Sequence, residues 1–120
     1  MATILIVDDS PSQIANFTKI LNKHGYEHMV AEDGASGVAL AKSVKPDLIL
    51  MDVVMPELNG FQATRKLTHD PDTKHIPIIM VTTKDQETDR VWGQRQGAKS
   101  FMVKPVEEAE LIKEIKKYIV

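Results

Sequence analysis

The nine residues TILIVDDSP, at positions 3–11, combine a short apolar run, a pair of acids and a helix-start signal. Ile4 to Val7 form a continuous apolar run, which is typical of a strand buried on both faces of a parallel sheet. Ser10 is a residue type that caps helix N-termini, and Pro11 suits the first helical position because no N–H is needed there. The stretch therefore predicts a strand–turn–helix unit with the acid pair in the turn.

An apolar run followed by a reactive polar residue recurs along the chain. The runs and the residues that follow them are Ile4 to Val7 with Asp8-Asp9, Leu48 to Met51 with Asp52, Ile78 to Val81 with Thr82, and Phe101 to Val103 with Lys104-Pro105. If these runs are neighbouring parallel strands, their carboxyl ends meet at one edge of the sheet, where open α/β sheets bind ligands. Three carboxylates, a hydroxyl and an ammonium would gather there. This set suits one divalent cation and one phosphoryl group.

Segments with helical periodicity alternate with the apolar runs. The predicted strands cover 3–7, 26–31, 47–52, 76–81 and 99–103. The predicted helices run from Pro11 to near His24-Gly25, from a cap at Asp33 to before Lys45-Pro46, from Asn59-Gly60 to before His69, from Asp85 to Gln96, and from Val106 to the C-terminus. Five strands alternating with five helices predict right-handed crossovers and an α/β fold with a doubly wound parallel sheet, covered on both faces.

The composition predicts one domain. A chain of 120 residues with 42% hydrophobic content is long enough for a two- or three-layer core and too short for two ordinary domains. We therefore expect a single domain over residues 1–120, with no room for an attached output domain.

Charge and cysteine content exclude several classes of function. Fifteen Lys and Arg against 17 Asp and Glu give a net charge of −2, and the interspersed signs leave no basic field for nucleic acid. The absence of cysteine excludes a disulfide framework and a cysteine-dependent phosphatase. No signal peptide precedes the first strand, and no apolar stretch approaches the ~18 residues that span a bilayer. We expect a cytoplasmic protein without membrane insertion.

The acids at the predicted sheet edge suit a magnesium site. Mg²⁺ prefers octahedral oxygen coordination and usually takes one or two carboxylates, so Asp9 and Asp52, with Asp8 holding a water, are candidate ligands. Because clustered carboxylates repel one another, the pKa of at least one should be raised and cation binding should be favourable. Asp52, the middle acid, can then attack phosphorus and form an aspartyl phosphate. Lys104 would balance one phosphoryl oxygen, and Thr82 would donate a hydrogen bond to another.

Each of these residues also has an ordinary structural role when it is taken alone. An acid or a threonine at a strand end commonly caps the next helix or stabilises a turn. A lone lysine such as Lys104 is usually a solvated surface charge, and Pro105 alone would merely end a strand. Their coincidence at four strand ends is what favours a chemical site.

Four motifs occur together in this chain: Asp8-Asp9, Asp52-Val53-Val54-Met55-Pro56 with Gly60 four residues on, Val81-Thr82, and Lys104-Pro105. In this combination they resemble the receiver domain of two-component response regulators over the whole chain. The resemblance implies a flavodoxin-like, CheY-like fold with strand order 2-1-3-4-5. It also implies that Asp52 is the phosphoacceptor, assisted by Thr82 and Lys104, and that the peptide bond before Pro105 is cis. The implied ligands of Mg²⁺, or of Mn²⁺, are Asp8, Asp9, Asp52 and the backbone carbonyl of Val54.

The resemblance further assigns a switch pair to Thr82 and Phe101, in which the hydroxyl moves toward the phosphoryl group while the ring turns inward. Phe101 lacks the phenolic hydroxyl that tyrosine would offer, and an ordinary core aromatic is the alternative interpretation. The expected output surface comprises the fourth helix, the fifth strand and the last helix. We expect the fourth helix to be easily displaced, because its apolar anchors are mainly Val91 and Trp92 and because Gly93 costs a helix interior about 1 kcal/mol. Trp92 is either a partner contact or a half-buried packing residue.

Two positions depart from the commonest receivers. Thr83 stands where a small residue usually borders the phosphoryl entrance, which predicts narrowed access to Asp52. Val54, two residues after the phosphoacceptor, cannot orient an attacking water. We therefore expect slow hydrolysis of the phosphoryl group on Asp52. Lys84 could partly take over the orientation of the attacking water.

A receiver without an output domain resembles chemotaxis-type single-domain regulators such as CheY. The stretches 59–65, 81–89, 91–93 and 95–98 resemble the PilH-type regulators of twitching motility in particular. This subfamily implies a CheA-like histidine kinase or its phosphotransfer domain as the donor, type IV pilus control as the process, and an unknown downstream protein target. We expect a monomer or weak homodimer that catalyses only its own phosphorylation and dephosphorylation.

Other classes were weighed against this interpretation. A haloacid-dehalogenase-type phosphatase needs a second acid two residues past the nucleophile, where Val54 stands. A flavin carrier needs a phosphate-cradling loop after the first strand, where Asp8-Asp9 would repel the phosphate. A phosphorylation-independent adaptor or a phosphate sink with the same fold stays open, because its site residues would be the same.

Overall fold

The computed structural model describes residues 2–119 and contains five strands that alternate with five helices over that range. The strands are β1 (Thr3–Val7), β2 (Glu27–Ala31), β3 (Leu48–Met51), β4 (Ile78–Thr82) and β5 (Ser100–Val103). The helices are α1 (Pro11–Lys23), α2 (Gly34–Val44), α3 (Gly60–His69), α4 (Glu87–Gln96) and α5 (Glu108–Lys116). No helix within residues 2–119 is both long and apolar enough to cross a membrane.

The sheet has the order β2-β1-β3-β4-β5, and all four pairings are parallel. The predicted α/β class, the doubly wound topology and the strand order are therefore confirmed. The register aligns the carboxyl ends of neighbouring strands: Val7 of β1 pairs with Met51 of β3, and Thr82 of β4 pairs with Val103 of β5. The residues that directly follow these positions therefore lie at the same edge of the sheet.

Several elements are shorter than predicted. β4 begins at Ile78 rather than Ile76, because Pro77 has no N–H to contribute to a ladder. α4 begins at Glu87 rather than Asp85. α5 covers Glu108–Lys116 rather than running from Val106 to the end of the chain, and Val120, its predicted last residue, lies outside the described residues.

The first three helices begin at side-chain caps. Ser10 accepts a hydrogen bond from the N–H of Gln13, with Pro11 as the first residue of α1. Asp33 accepts one from the N–H of Ser36 at 2.7 Å. Asn59 begins α3 through a reciprocal capping box with Gln62. These caps fix where each helix leaves the sheet edge.

Apolar side chains cover both faces of the sheet. In β1, Ile4 and Ile6 pack into a cluster with residues of α1 and α5, whereas Leu5 and Val7 pack into a second cluster with residues of α2 and α3. Alternate residues of a strand point to opposite faces, so a continuous apolar run serves both clusters. The sheet is thereby buried on both faces, and residues at the carboxyl ends of its strands lie at one edge.

α4 buries no apolar side chain, since Gly93 and Gln96 are its buried residues. Val91 and Trp92 are 39% and 49% exposed, so the expectation that they anchor this helix is wrong. The reason is local: a Cβ at Gly93 would lie 2.8 Å from Met80 Sδ and 3.3 Å from the Phe101 ring. The helix approaches the sheet through its backbone at this glycine.

Candidate functional site

The site lies at the carboxyl edge of the sheet, where backbone hydrogen bonds hold its residues. The N–H of Asp52 donates to the carbonyl of Val7 at 2.9 Å, so the residue after β3 stays beside β1. The N–H of Lys104 donates to the carbonyl of Thr82 at 2.8 Å, which fixes the residue after β5 beside the end of β4. The residues that follow neighbouring strands therefore lie next to one another along this edge of the sheet.

The three predicted acids come together. Asp8, Asp9 and Asp52 each offer a carboxylate oxygen, and these atoms all lie within 4.8 Å of one another. Asp8 and Asp52 are buried, whereas Asp9 is exposed. A set of oxygen donors at this spacing, with one open side, fits the coordination that Mg²⁺ prefers.

Lys104 lies inside this cluster. Its Nζ donates a hydrogen bond to Asp8 Oδ2 at 2.7 Å and lies 3.8 Å from Asp52 Oδ1. Only 6% of its side chain is exposed, so the alternative of a solvated surface lysine does not describe it. The Lys104–Pro105 peptide bond is cis.

The environment raises the pKa of Asp52. The largest cause is burial, the Lys104 ammonium opposes it, and the Asp8 carboxylate adds to it. The sequence predicted a raised pKa in this cluster from mutual repulsion, but desolvation contributes more than repulsion does. A buried carboxylate with a raised pKa is poorly compensated when it is ionised, and a cation beside it would supply that compensation.

Thr82 and its neighbours form the second wall of the site. Thr82 is fully buried at the end of β4, and its Oγ1 accepts a 3.4 Å hydrogen bond from the N–H of Lys84. Thr83 is exposed. The hydroxyl of Thr82 is thus attached to the loop that leads into α4.

The loop from β3 to α3 forms the third wall. A Cβ at Gly60 would overlap the carbonyl oxygen of Asp52, so only glycine permits the close approach of α3 to the site. Val54 is 54% exposed in this loop. Together with Phe61 and Lys84 it lines a shallow cavity of about 260 Å³. A carboxylate or amide that could hold a water is absent from position 54, as the sequence indicated.

Phe101 is buried, with 8% of its surface exposed. The Arg90 guanidinium lies 5.3 Å from the centre of its ring and donates a 3.0 Å hydrogen bond to its carbonyl oxygen. The sequence did not predict a role for Arg90, because nothing in a polar helix marks which of its charges meets the neighbouring strand. Phe101 therefore lies inward beneath α4 in this structure.

Comparison with known proteins identifies the family. Residues 4–116 match the response regulator receiver domain. The chain belongs to the receiver domain family. Receiver domains accept a phosphoryl group from histidine kinases and bind Mg²⁺ in an acidic pocket, and this chain has a cluster of three Asp residues at the carboxyl edge of its sheet.

Three similar receivers show how far the likeness extends. Protein PilH of Pseudomonas aeruginosa is 61% identical over 115 residues, which are 96% of this chain and 95% of that protein. The structure of the chemotaxis protein CheY4 of Vibrio cholerae matches with a TM-score of 0.93 at 33% identity over 99% of both chains. The receiver domain of the sensor histidine kinase PA1611 from P. aeruginosa, whose structure has a magnesium ion coordinated in the active site cleft, matches with a TM-score of 0.91 at 30% identity over 98% of this chain and 97% of that chain. The resemblance to receivers, and to PilH among them, is confirmed.

Proposed function

We propose that the protein is a single-domain response regulator in which Asp52 accepts a phosphoryl group from a histidine kinase. The observation that carries the proposal is the buried Lys104 ammonium, which lies between Asp8 and Asp52 next to three carboxylates able to share one cation. Such a site concentrates charge of both signs where a phosphoryl group and a divalent ion would meet. The protein then acts as a phosphoacceptor rather than as an enzyme on another substrate.

Each residue at the edge has a role in this reaction. Asp8, Asp9, Asp52 and the Val54 carbonyl would hold Mg²⁺ or Mn²⁺, which neutralises charge on the phosphoryl oxygens. An oxygen of Asp52 forms the new bond to phosphorus as the bond from phosphorus to the donor breaks. Lys104 balances the charge of one phosphoryl oxygen, and the Thr82 hydroxyl donates a hydrogen bond to another.

The signal would leave through α4, β5 and α5, with Thr82 and Phe101 as the switch pair. The support for this assignment is position: Thr82 is attached to the loop before α4, and Phe101 lies beneath that helix. Thr83 would narrow the entrance to Asp52. The absence of a polar group at Val54 favours a slow loss of the phosphoryl group, modulated by Lys84.

The similarity to PilH supports a place in type IV pilus twitching motility or a chemotaxis-type pathway. The donor would be a CheA-like histidine kinase or its phosphotransfer domain, acting in the cytoplasm on a monomer or weak homodimer. The similarity to PilH extends over 96% of this chain and 95% of that protein, so it supports the proposal along the whole receiver domain. The downstream target would be a protein, since the net charge of −2 offers no field for nucleic acid.

The test is the intact mass of the protein after incubation with acetyl phosphate and Mg²⁺. We expect the addition of one phosphoryl group that disappears in Asp52→Asn and in a sample with the metal chelated. Addition that persists in Asp52→Asn would place the phosphoacceptor elsewhere. No addition to a folded, metal-binding protein, with CheA-like phosphodonors also failing, would favour a phosphorylation-independent adaptor instead.

A further inference from the structure

The first turn of α4 is joined to the rest of the protein by polar contacts. None of its residues 87–90 is buried. Asp89 contacts the loop that precedes the helix, and Arg90 contacts Phe101 on β5. The C-terminal end of α4 is held more firmly, because the Thr68 hydroxyl of α3 donates a 2.7 Å hydrogen bond to the carbonyl of Gln96. The attachment of the first turn therefore depends on a few charged side chains.

Asp89 uses both of its carboxylate oxygens in the contact with the loop. Oδ2 accepts a 3.3 Å hydrogen bond from the N–H of Gln86, the residue that caps α4. Oδ1 lies 3.7 Å from the Nζ of Lys84. One carboxylate thus joins the start of the helix to the Lys84 ammonium.

Lys84 also belongs to the wall of the phosphorylation site. Its N–H donates to Oγ1 of Thr82, and its side chain lines the shallow cavity that Val54 borders. The Lys84 side chain is 43% exposed, so its ammonium can change partner at little cost. A phosphoryl group adds charge beside this residue, and charge-assisted hydrogen bonds to phosphate oxygens are strong.

We propose that Asp89 is a positioning residue for Lys84. In the unphosphorylated protein it holds the ammonium toward α4, and a phosphoryl group on Asp52 competes with it for the same ammonium. When Lys84 turns to the phosphoryl group, the first turn of α4 loses one of its attachments. Because coupling is reciprocal, weakening the Lys84–Asp89 contact must also favour binding of the phosphoryl group. The inference rests on the proposed function of Asp52.

The experiment uses beryllofluoride, a stable mimic of a phosphoryl group on a carboxylate, titrated by calorimetry at saturating Mg²⁺. Asp89→Asn retains an oxygen for the Gln86 N–H and removes the charge that attracts Lys84. We expect it to bind beryllofluoride about two- to fivefold more tightly than wild type, which corresponds to ~0.4–1 kcal/mol. In a Lys84→Gln background, Asp89→Asn should have no such effect.

Asp85→Asn is the matched control, because it removes a charge from the same loop at a residue that makes no ion pair within the described part of the chain. It should change the affinity by less than twofold. An Asp89→Asn effect equal to that of Asp85→Asn, or one that survives Lys84→Gln, would overturn the inference. Failure of wild type itself to bind beryllofluoride with Mg²⁺ would instead remove the proposed function, and the inference with it.

Trp92, the single tryptophan, reports on α4 directly. Its emission in free Asp89→Asn should shift toward that of beryllofluoride-loaded wild type, because the first turn has already lost its link to Lys84. Emission of free Asp89→Asn that matches free wild type would show that Asp89 does not attach the helix through Lys84. If Asp89→Asn acted only by weakening the N-cap of α4, it would change the emission of Trp92 equally with and without Lys84. Comparison of Asp89→Asn in the wild-type and Lys84→Gln backgrounds separates this effect from loss of the Lys84 contact.

Discussion

Lys104 and Asp8 form a buried ion pair, with 2.7 Å between Nζ and Oδ2 and side chains only 6% and 2% exposed. The same ammonium lies 3.8 Å from Asp52 Oδ1, so a single cation faces two buried acids and compensates Asp52 only in part. Breaking a buried pair by removing one partner is strongly destabilising, because a charge is left without compensation. The protein therefore depends on Lys104 for stability as well as for the proposed chemistry.

Replacement of Lys104 by methionine should reveal this dependence. We expect Lys104→Met to lower the free energy of unfolding at pH 7 by about 3 kcal/mol without metal. Mg²⁺ should restore part of the loss, since a cation at Asp8 and Asp52 replaces the missing charge. Urea denaturation with and without Mg²⁺ measures both effects. Lys99→Met, at an exposed position before the opposite end of β5, is the control; equal midpoints for the two variants would contradict the prediction.

Asp52→Asn should stabilise the metal-free protein at neutral pH. Burial raises the pKa of Asp52 above its ordinary value of 3.8, so its contribution to stability is complete below that value and is lost as the pH rises through the folded-state pKa. Asparagine carries no charge and retains an oxygen for the N–H of Val53, which Asp52 Oδ1 accepts at 2.9 Å. The stability difference between variant and wild type should therefore be largest near pH 7 and shrink toward pH 3.

Urea denaturation of both proteins across this pH range provides the measurement. Added Mg²⁺ should make wild type the more stable of the two proteins at pH 7. The ion binds folded wild type and stabilises it, whereas the Asp52→Asn site lacks one of the carboxylate ligands. A variant that is less stable than wild type at pH 7 without metal would show that Asp52 is favourably ionised, against the direction of its pKa.

Substitution of Asp9 should weaken Mg²⁺ binding without changing the stability of the fold. It is exposed and makes no ion pair with any residue between 2 and 119, so Asp9→Asn should change the free energy of unfolding by less than about 0.5 kcal/mol. If Asp9 is a metal ligand, the same substitution should weaken Mg²⁺ binding about tenfold or more, as calorimetric titration would show. Glu32→Gln, an exposed acid after β2 at the same edge of the sheet, should leave Mg²⁺ affinity unchanged. Equal affinities for Asp9→Asn and wild type would exclude Asp9 as a ligand.

The sequence predicted the parts of the site that strand order determines. Asp8, Asp52, Thr82 and Lys104 each follow or end an apolar run, and parallel strands necessarily bring such residues to one edge. Their family resemblance then supplied the strand order, which residue patterns alone left open. The predicted fold was correct because each apolar run and each cap agreed with it.

Sequence reasoning failed where side-chain direction depends on packing. Val91 and Trp92 were expected to anchor α4, but this helix meets the sheet at Gly93, a residue that carries no hydrophobic signal. The contacts of Asp89 and Arg90 were also missed, because a polar helix offers many charges and no pattern that selects among them. Such contacts follow from the rotation of a helix about its axis, which is fixed by the whole core.

Thr83 should limit access to Asp52. It is exposed beside the buried Thr82, at the position where the resemblance to receivers implies the phosphoryl entrance. We expect Thr83→Ala to be labelled by acetyl phosphate about two- to fivefold faster than wild type, a difference below ~1 kcal/mol in the barrier. Thr83→Val has the size of threonine without its hydroxyl and should be labelled at the wild-type rate. Equal rates for Thr83→Ala and wild type, followed by intact mass, would show that the side chain does not narrow the entrance.

Gly93 lies in a helix despite its low helix propensity, and its neighbours on the sheet leave little space for a side chain. Alanine is favoured over glycine by about 1 kcal/mol in an exposed helix interior, yet a Cβ here would lie 2.8 Å from Met80 Sδ and 3.3 Å from the Phe101 ring. Overpacking of a filled core typically costs about 1–3 kcal/mol, so Gly93→Ala should lower the free energy of unfolding by about 1 kcal/mol.

The exposed neighbour Gln94 is the control for Gly93, since Gln94→Ala meets no such contact and should change stability by less than about 0.5 kcal/mol. Gly93→Ala should also shift the emission of Trp92 and displace Phe101, because the added methyl group pushes α4 away from β5. Thermal or urea denaturation gives the energies, and ring chemical shifts of Phe101 give the displacement. A Gly93→Ala protein that is more stable than wild type, with unchanged Phe101 shifts, would show that α4 is loose enough to absorb the methyl group. The close approach at Gly93 would then not be what holds Phe101 inward.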